Sequence, residues 1–196
     1  MKKYYSFMAI GVVFGVVMFF CFFLRLSGQV SFSTNGFAAD SEGQLYVGRE
    51  GEIAVLKDGE CVRTINPRTS RSYVFTITDE QTILLSTSST VYTMDLSGEV
   101  LTERTDEGTK VYNQLQHKKT FTDVHGAEYT MRSPWGRTGI YKDGVRIYEI
   151  PTLDYVVRIL LIASVVGGLV ASAVVACLRC YKQKTCDGVI IEKASP

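Results

Sequence analysis

The chain has 196 residues, 46% of them hydrophobic, with a formal net charge of +1. Its charges are interspersed rather than gathered into a basic stripe, which argues against nucleic acid as a partner. The five cysteines are too scattered for a disulfide framework, with Cys61 standing by itself in the middle of the sequence, so burial and β-pairing must hold that region together.

Residues 1–6 form a short basic N-terminus carrying Lys2 and Lys3. An uncharged apolar run follows from Phe7 to Leu24, about 27 Å long as a helix, which matches a hydrocarbon core of about 30 Å. Such a stretch reads as a transmembrane helix over 7–25. A cleaved signal peptide is the competing reading, but the exit Phe22-Phe23-Leu24-Arg25-Leu26 offers no small-residue cleavage site, so a signal anchor fits better. Gly11 and Gly15, four apart, cut a notch into one face of this helix.

Residues 26–152 change character. Between Leu26 and Leu153 there are roughly 17 acidic and 13 basic residues, and β-branched and aromatic runs alternate with tight turns. Strands are expected at 43–47, 73–78, 82–85, 90–94 and 146–150, and no apolar helical period is long enough to defend a helix. Asp58-Gly59 and Asp143-Gly144 are the dipeptides of a type I′ hairpin, in which both central residues take positive φ. The hairpins repeat: Ile53 to Gly59, Tyr92 to Gly98 and Thr138 to Gly144 each end in a glycine followed by another strand, and each is preceded by a further apolar strand.

With its strand, polar turn and v-dG-v hairpin recurring about every 40 residues, the region from Val30 to Ile150 resembles the blades of β-propeller proteins of the loose NHL-like or quinoprotein-like kind. Gly36 to Val47 is most like a blade opening. The resemblance implies an all-β, partial β-propeller of about three blades, in a two-helix membrane-anchored protein of no identified family. An antiparallel β-sandwich or barrel with regularly spaced hairpins is the alternative. Propeller rings ordinarily need four to eight blades, so three point to association, with two chains making a six-bladed ring or a partner supplying the missing wall.

Little chemistry is legible in this region. His117 and His125 flank one strand without further ligands of suitable spacing, and Asp40 to Gly43 and Asp106 to Gly108 read as ordinary turns rather than calcium loops. Trp135, in the loop of the third repeat, is a possible ligand contact. With no nucleophile, phosphate-loop or dinucleotide signature, the expectation is a protein without cofactor or metal that is not an enzyme.

A second apolar run, Ile159 to Leu178, places a transmembrane helix at 156–178 and a tail at 179–196. Asp154, one turn ahead, is a possible partner for Arg158. Ser164, Gly168, Ser172 and Ala176 recur every four residues, forming a smooth ridge, widened by Gly167 and Ala171, for helix packing opposite the Gly11–Gly15 notch. Lys2 and Lys3, with Arg179, Lys182 and Lys184, place both termini in the cytoplasm of a cell membrane of bacterial type and the middle domain outside. Cys177 and Cys180 at the helix end are possible acylation sites.

The reading favoured by the sequence is a membrane-anchored, non-enzymatic interaction protein. It presents a propeller-like domain outside the cell to a protein or ligand, or to a second copy in a homo-oligomer. The alternative is an accessory or structural subunit of a membrane transport or envelope complex, in which the helix ridge contacts another membrane protein.

Overall fold

The computed structural model describes residues 2–67, 69, 72–134 and 137–192, with side chains described for 9–181 of these. It divides into two compact units, residues 31–155 and the pair of segments 1–30 and 156–196.

The unit 31–155 is built from three four-stranded antiparallel sheets. Each is a simple meander, because each successive pair of strands is joined by a short turn that fixes the register. Blade 1 contains β1 Phe37–Ala39, β2 Leu45–Arg49, β3 Glu52–Lys57 and β4 Glu60–Ile65. Blade 2 contains β5 Val74–Ile77, β6 Ile83–Ser86, β7 Val91–Met94 and β8 Val100–Arg104. Blade 3 contains β9 Thr120–Thr122, β10 Glu128–Arg132, β11 Gly139–Lys142 and β12 Val145–Glu149. Three separate meanders are compatible with a partial propeller, and they differ from the two facing sheets of a sandwich.

The expected type I′ turns are present. Asp58 and Gly59 take φ of 53° and 85°, and Asp143 and Gly144 take 48° and 84°, values that suit Asp and Gly in the left-handed region. A register shift recurs at one place in every blade, between Val55 and Leu56, Thr93 and Met94, and Ile140 and Tyr141. It leaves one extra residue in each fourth strand, a bulge that bends an edge strand away from further pairing. The repeat seen in the sequence is therefore a repeat of backbone geometry.

Middle strands carry the core, since the fully buried Tyr46, Ile53, Val55, Ile83, Leu85, Met94, Tyr129 and Ile140 all lie on β2, β3, β6, β7, β10 or β11. The first strands are innermost, with β1 lying beside both β5 and β9. Blade 1 thus stands between blades 2 and 3.

Two expectations need correction. A helix does occur in the middle of the chain: α2, Gly108–Leu115, links β8 to β9 and packs on β5 and β6. It is only eight residues long, too short to set up an apolar period, and it is held from outside itself. The Ser86 hydroxyl donates to the Gly108 carbonyl at 2.9 Å and the Thr109 hydroxyl to the Ser88 carbonyl at 2.7 Å. Asp154, expected beside Arg158, instead accepts from Arg49 Nη2 at 2.8 Å. That residue is far away in sequence and close in the fold, and Arg49 also meets Glu52 at 3.1 Å.

In the second unit, α1 spans Lys2–Leu26, and α3, which starts at Thr152 in the first unit, runs to Glu192. The apolar spans Ala9–Leu26 and Thr152–Tyr181 are long and apolar enough to cross a membrane, with 18-residue stretches of mean hydropathy 2.4 and 2.6 of which 6% and 11% of the residues are buried. Continuation of α3 past Leu178 makes part of the expected tail helical.

Candidate functional site

Two of the three first hairpins carry the same polar device. In blade 1, Asp40 Oδ1 accepts the N–H groups of Glu42 and Gln44 at 3.0 and 2.8 Å. In blade 3, Asp123 Oδ1 accepts those of His125 and Ala127, both at 2.9 Å. The other carboxylate oxygen in each case accepts a buried tyrosine hydroxyl at 3.3 Å, from Tyr46 and Tyr129 respectively.

A cation completes each set. Arg63 Nη2 donates to the Tyr46 hydroxyl at 3.0 Å, and Lys142 Nζ lies 5.3 Å from the centre of the Tyr129 ring, within cation–π range. Blade 2 has Thr78 and Leu84 at these positions, and the Thr78 hydroxyl holds the turn by accepting the Thr82 N–H at 3.3 Å. The hydroxyl can do the turn's work, but no tyrosine is placed to extend it.

Electrostatics single out the blade 3 set. Burial acts to raise the Asp123 pKa, but the amides of Ala127 and His125, the Tyr129 hydroxyl and the Lys142 charge outweigh it, and the carboxyl is held below its ordinary value. Burial pushes Tyr129 up, and Asp123 adds to that rise. Lys142 is raised first by its hydrogen bond to Tyr129, then by the charges around it. At neutral pH this is an ammonium and a carboxylate with a neutral phenol between them.

Lys142 and Tyr129 also face a cleft of about 420 Å³ between blades 1 and 3, with Leu45, Leu56 and Ile147 as its apolar wall and Arg146 at its edge. Asp58 also lines it and Arg146 pairs with Glu149 at 3.1 Å, so the cleft sets charges of both signs beside a hydrocarbon surface and suits a small ligand with a polar end and an apolar body. Among the described residues no group of three His, Cys, Asp or Glu is placed to hold a metal ion. His125 Nε2 lies 3.0 Å from the Ser41 carbonyl and the Ser41 N–H donates to Gln81 Oε1 at 2.8 Å, so this histidine helps tie the turns of the three blades together.

The residues singled out from the sequence fall elsewhere. Gly11, Gly15, Ser164, Gly168 and Ser172 line one open groove beside the α1–α3 pair, and Ala176 lines a second with Gly11 and Cys180. The close approach between the helices is made by Gly167 against the Phe14 ring, with Ser164, Ala171 and Cys21 buried nearby in the same unit. Ser164 and Ser172 satisfy their hydroxyls on the carbonyls of Leu160 and Gly168, at 2.7 and 2.8 Å, which leaves the groove smooth. Cys177 and Cys180 are exposed, and Trp135 lies outside the described residues.

The Asp–Tyr sets, one of which brings Tyr129 to the cleft, were missed because their pattern is relational. Asp40 and Tyr46, and Asp123 and Tyr129, share a six-residue spacing within a repeat, and aligning the repeats on their first turns would have shown it.

No family model matches the chain, and no curated protein matches it in sequence. Among solved structures it matches virginiamycin B lyase from Staphylococcus aureus, both in a catalytically inactive form with quinupristin and in a selenomethionine-substituted form. Each match has a TM-score of 0.34 and 14% identity, covering 62% of this chain and 42% of that one. A protein of unknown function from Bacteroides caccae matches with a TM-score of 0.31 and 13% identity, over 60% of this chain and 45% of that one. The chain thus spans less than half the length of these structures. Because a lyase is among them, the expectation that the chain is not an enzyme is withdrawn: that expectation rested on linear motifs, which are blind to side chains gathered from separate loops.

Proposed function

We propose that the chain is a membrane-anchored protein whose two long helices cross the bilayer and hold the three-bladed unit outside the cell, with both termini inside, where the blades bind a protein or small ligand or a second copy. The observation that carries this reading is the exposure of the helices' apolar side chains. Val12, Phe19, Phe23, Leu169 and Val170 are each more than half exposed, and a stripe this wide on two helices is stable only where the surrounding medium is hydrocarbon. The cleft between blades 1 and 3 is the binding place this reading favours for a small ligand.

Carbonate extraction with protease treatment of sealed cells tests it. The protein stays with the membrane pellet, and external protease removes residues 31–150 while sparing the tails. Release by carbonate, or protection of the middle, refutes the reading.

A second reading, an accessory subunit of a membrane transport or envelope complex, is favoured by the groove of Gly11, Gly15, Ser164, Gly168 and Ser172. Small residues along an open groove admit close approach of another helix. Replacing Gly168 and Ser172 with leucine separates the two readings: the second predicts loss of partner capture with the β-unit still folded, and the first predicts no change.

A further inference from the structure

We infer that the β-unit is a half-ring that closes with a second copy of this chain, the fourth strand of blade 2 docking on the third hairpin of blade 3 in that copy. The inference deepens the self-assembly option above and does not depend on which way the helices cross the membrane.

Within one chain, neighbouring blades meet in the same sense: the fourth strand of one lies toward the third-hairpin glycine of the next, tightly at one junction and at the limit of contact at the other. Between blades 1 and 2, Ile65 of β4 is buried and sits so tightly on Gly98 that a Cβ there would collide with it. Arg63 of the same strand donates to the Leu96 carbonyl at 2.8 Å. Between blades 3 and 1, the carbonyl of Ile147 on β12 comes within 4.0 Å of where a Cβ on Gly59 would be. Tyr148 of β12 reaches the electrostatic neighbourhood of Cys61 and Glu52 in blade 1.

Applied once more, this arrangement leaves two unmet halves at the ends of the row 3–1–2. β8, the repeat counterpart of β4 and β12, has all five residues exposed and so lacks a buried end residue such as Ile65, the one buried residue of β4. Of the three third-hairpin glycines, Gly144 is the one with nothing among the described residues within 4 Å of its Cβ position. In β8 the counterpart of Ile65 is Arg104, which pairs with Glu107 at 3.2 Å; set over the Asp143–Gly144 turn as Ile65 is set over Gly98, it would bring a guanidinium to the Asp143 carboxylate, whose Oδ1 accepts the Glu128 N–H at 3.0 Å. These halves are complementary to each other and not to themselves, so they form a head-to-tail contact. Two copies related by a two-fold axis make it twice and close the ring, leaving neither half free.

The experiment uses the full chain in detergent at micromolar concentration, with protein mass read by light scattering. The unaltered chain is expected at twice 21.8 kDa. Arg104→Glu, on an exposed residue, sets two carboxylates against each other; Gly144→Asn, a residue tolerant of positive φ, fills the space that β8 must occupy. Each variant is expected to be monomeric and to keep the folded circular dichroism spectrum, with a thermal midpoint that no longer rises with protein concentration. Mixed together they are expected to recover dimer, because one of the two contacts survives in the mixed pair. A monomeric unaltered chain, a larger assembly, or a dimer that survives Arg104→Glu overturns the proposal, and Arg104→Glu decides it even where Gly144→Asn fails to fold. Normal membrane insertion with a monomeric result refutes this inference alone, whereas carbonate release refutes the anchoring.

Discussion

The Arg49–Asp154 pair offers a quantitative test of how the β-unit holds the first turn of α3. Asp154 is 4% exposed and Arg49 22%, and their contact is 2.8 Å. Breaking a fully buried pair costs about 3–5 kcal/mol and breaking an exposed one about 0–1 kcal/mol. Arg49 is partly solvated and keeps Glu52 at 3.1 Å, so Asp154→Asn should cost about 2 kcal/mol, between those limits. For a unit of this size that is a fall of about 8 °C in thermal midpoint. The assay is thermal unfolding of the detergent-solubilised chain followed by circular dichroism, with Asp154→Asn, Arg49→Met and the double variant forming a cycle. A coupling energy of about 1 kcal/mol or more is expected. Additive single losses would refute the reasoning, because they would show that the two side chains act independently.

Three other outcomes follow from the packing. Gly108→Ala should cost more than about 3 kcal/mol and reduce soluble yield sharply, since the new Cβ would collide with the backbone of Ser89 and Thr90, which cannot move aside as a side chain can. Tyr46→Phe should cost about 1–2 kcal/mol, because it strips a buried partner from both Asp40 and Arg63; an unchanged midpoint would refute that device. The depressed pKa of Asp123 contributes stability that is present above the unfolded-state value of about 3.9 and is lost as pH falls through the folded value. The gap in midpoint between the unaltered chain and Asp123→Asn should therefore be full at pH 7 and close below about pH 4, and a gap independent of pH would contradict this.

Much of the fold was legible because it is written locally. Asp58-Gly59 and Asp143-Gly144 specify their hairpins through the positive φ they require, and the apolar runs specify long helices through length alone. What was not legible depends on partners distant in the chain. Arg49 and Asp154 meet only once blade 1 and the start of α3 are folded, while the nearer Arg158 is what sequence spacing offers. The helix α2 escapes a periodicity search because Ser86 and Thr109, rather than an apolar stripe, fix its position.

The cleft shows the same division. Tyr129 and Lys142 sit on adjacent strands, but the Leu45 and Leu56 that wall it belong to another blade, and their meeting is a property of blade order. Gly167 was legible as part of the small-residue ridge, and the helices do approach there, but its partner Phe14 was not, because that pairing depends on helix rotation.

The central claim, a β-unit outside and both helix ends inside, is tested most directly by the chain's own cysteines. Cys61 is exposed on β4, and Cys177 and Cys180 are exposed at the far end of the apolar window of α3. In single-cysteine variants on intact, sealed cells, a membrane-impermeant maleimide should label Cys61 at once and reach Cys177 or Cys180 only after permeabilisation. Labelling of Cys177 in sealed cells, or a Cys61 that reacts only once the membrane is opened, would contradict the account.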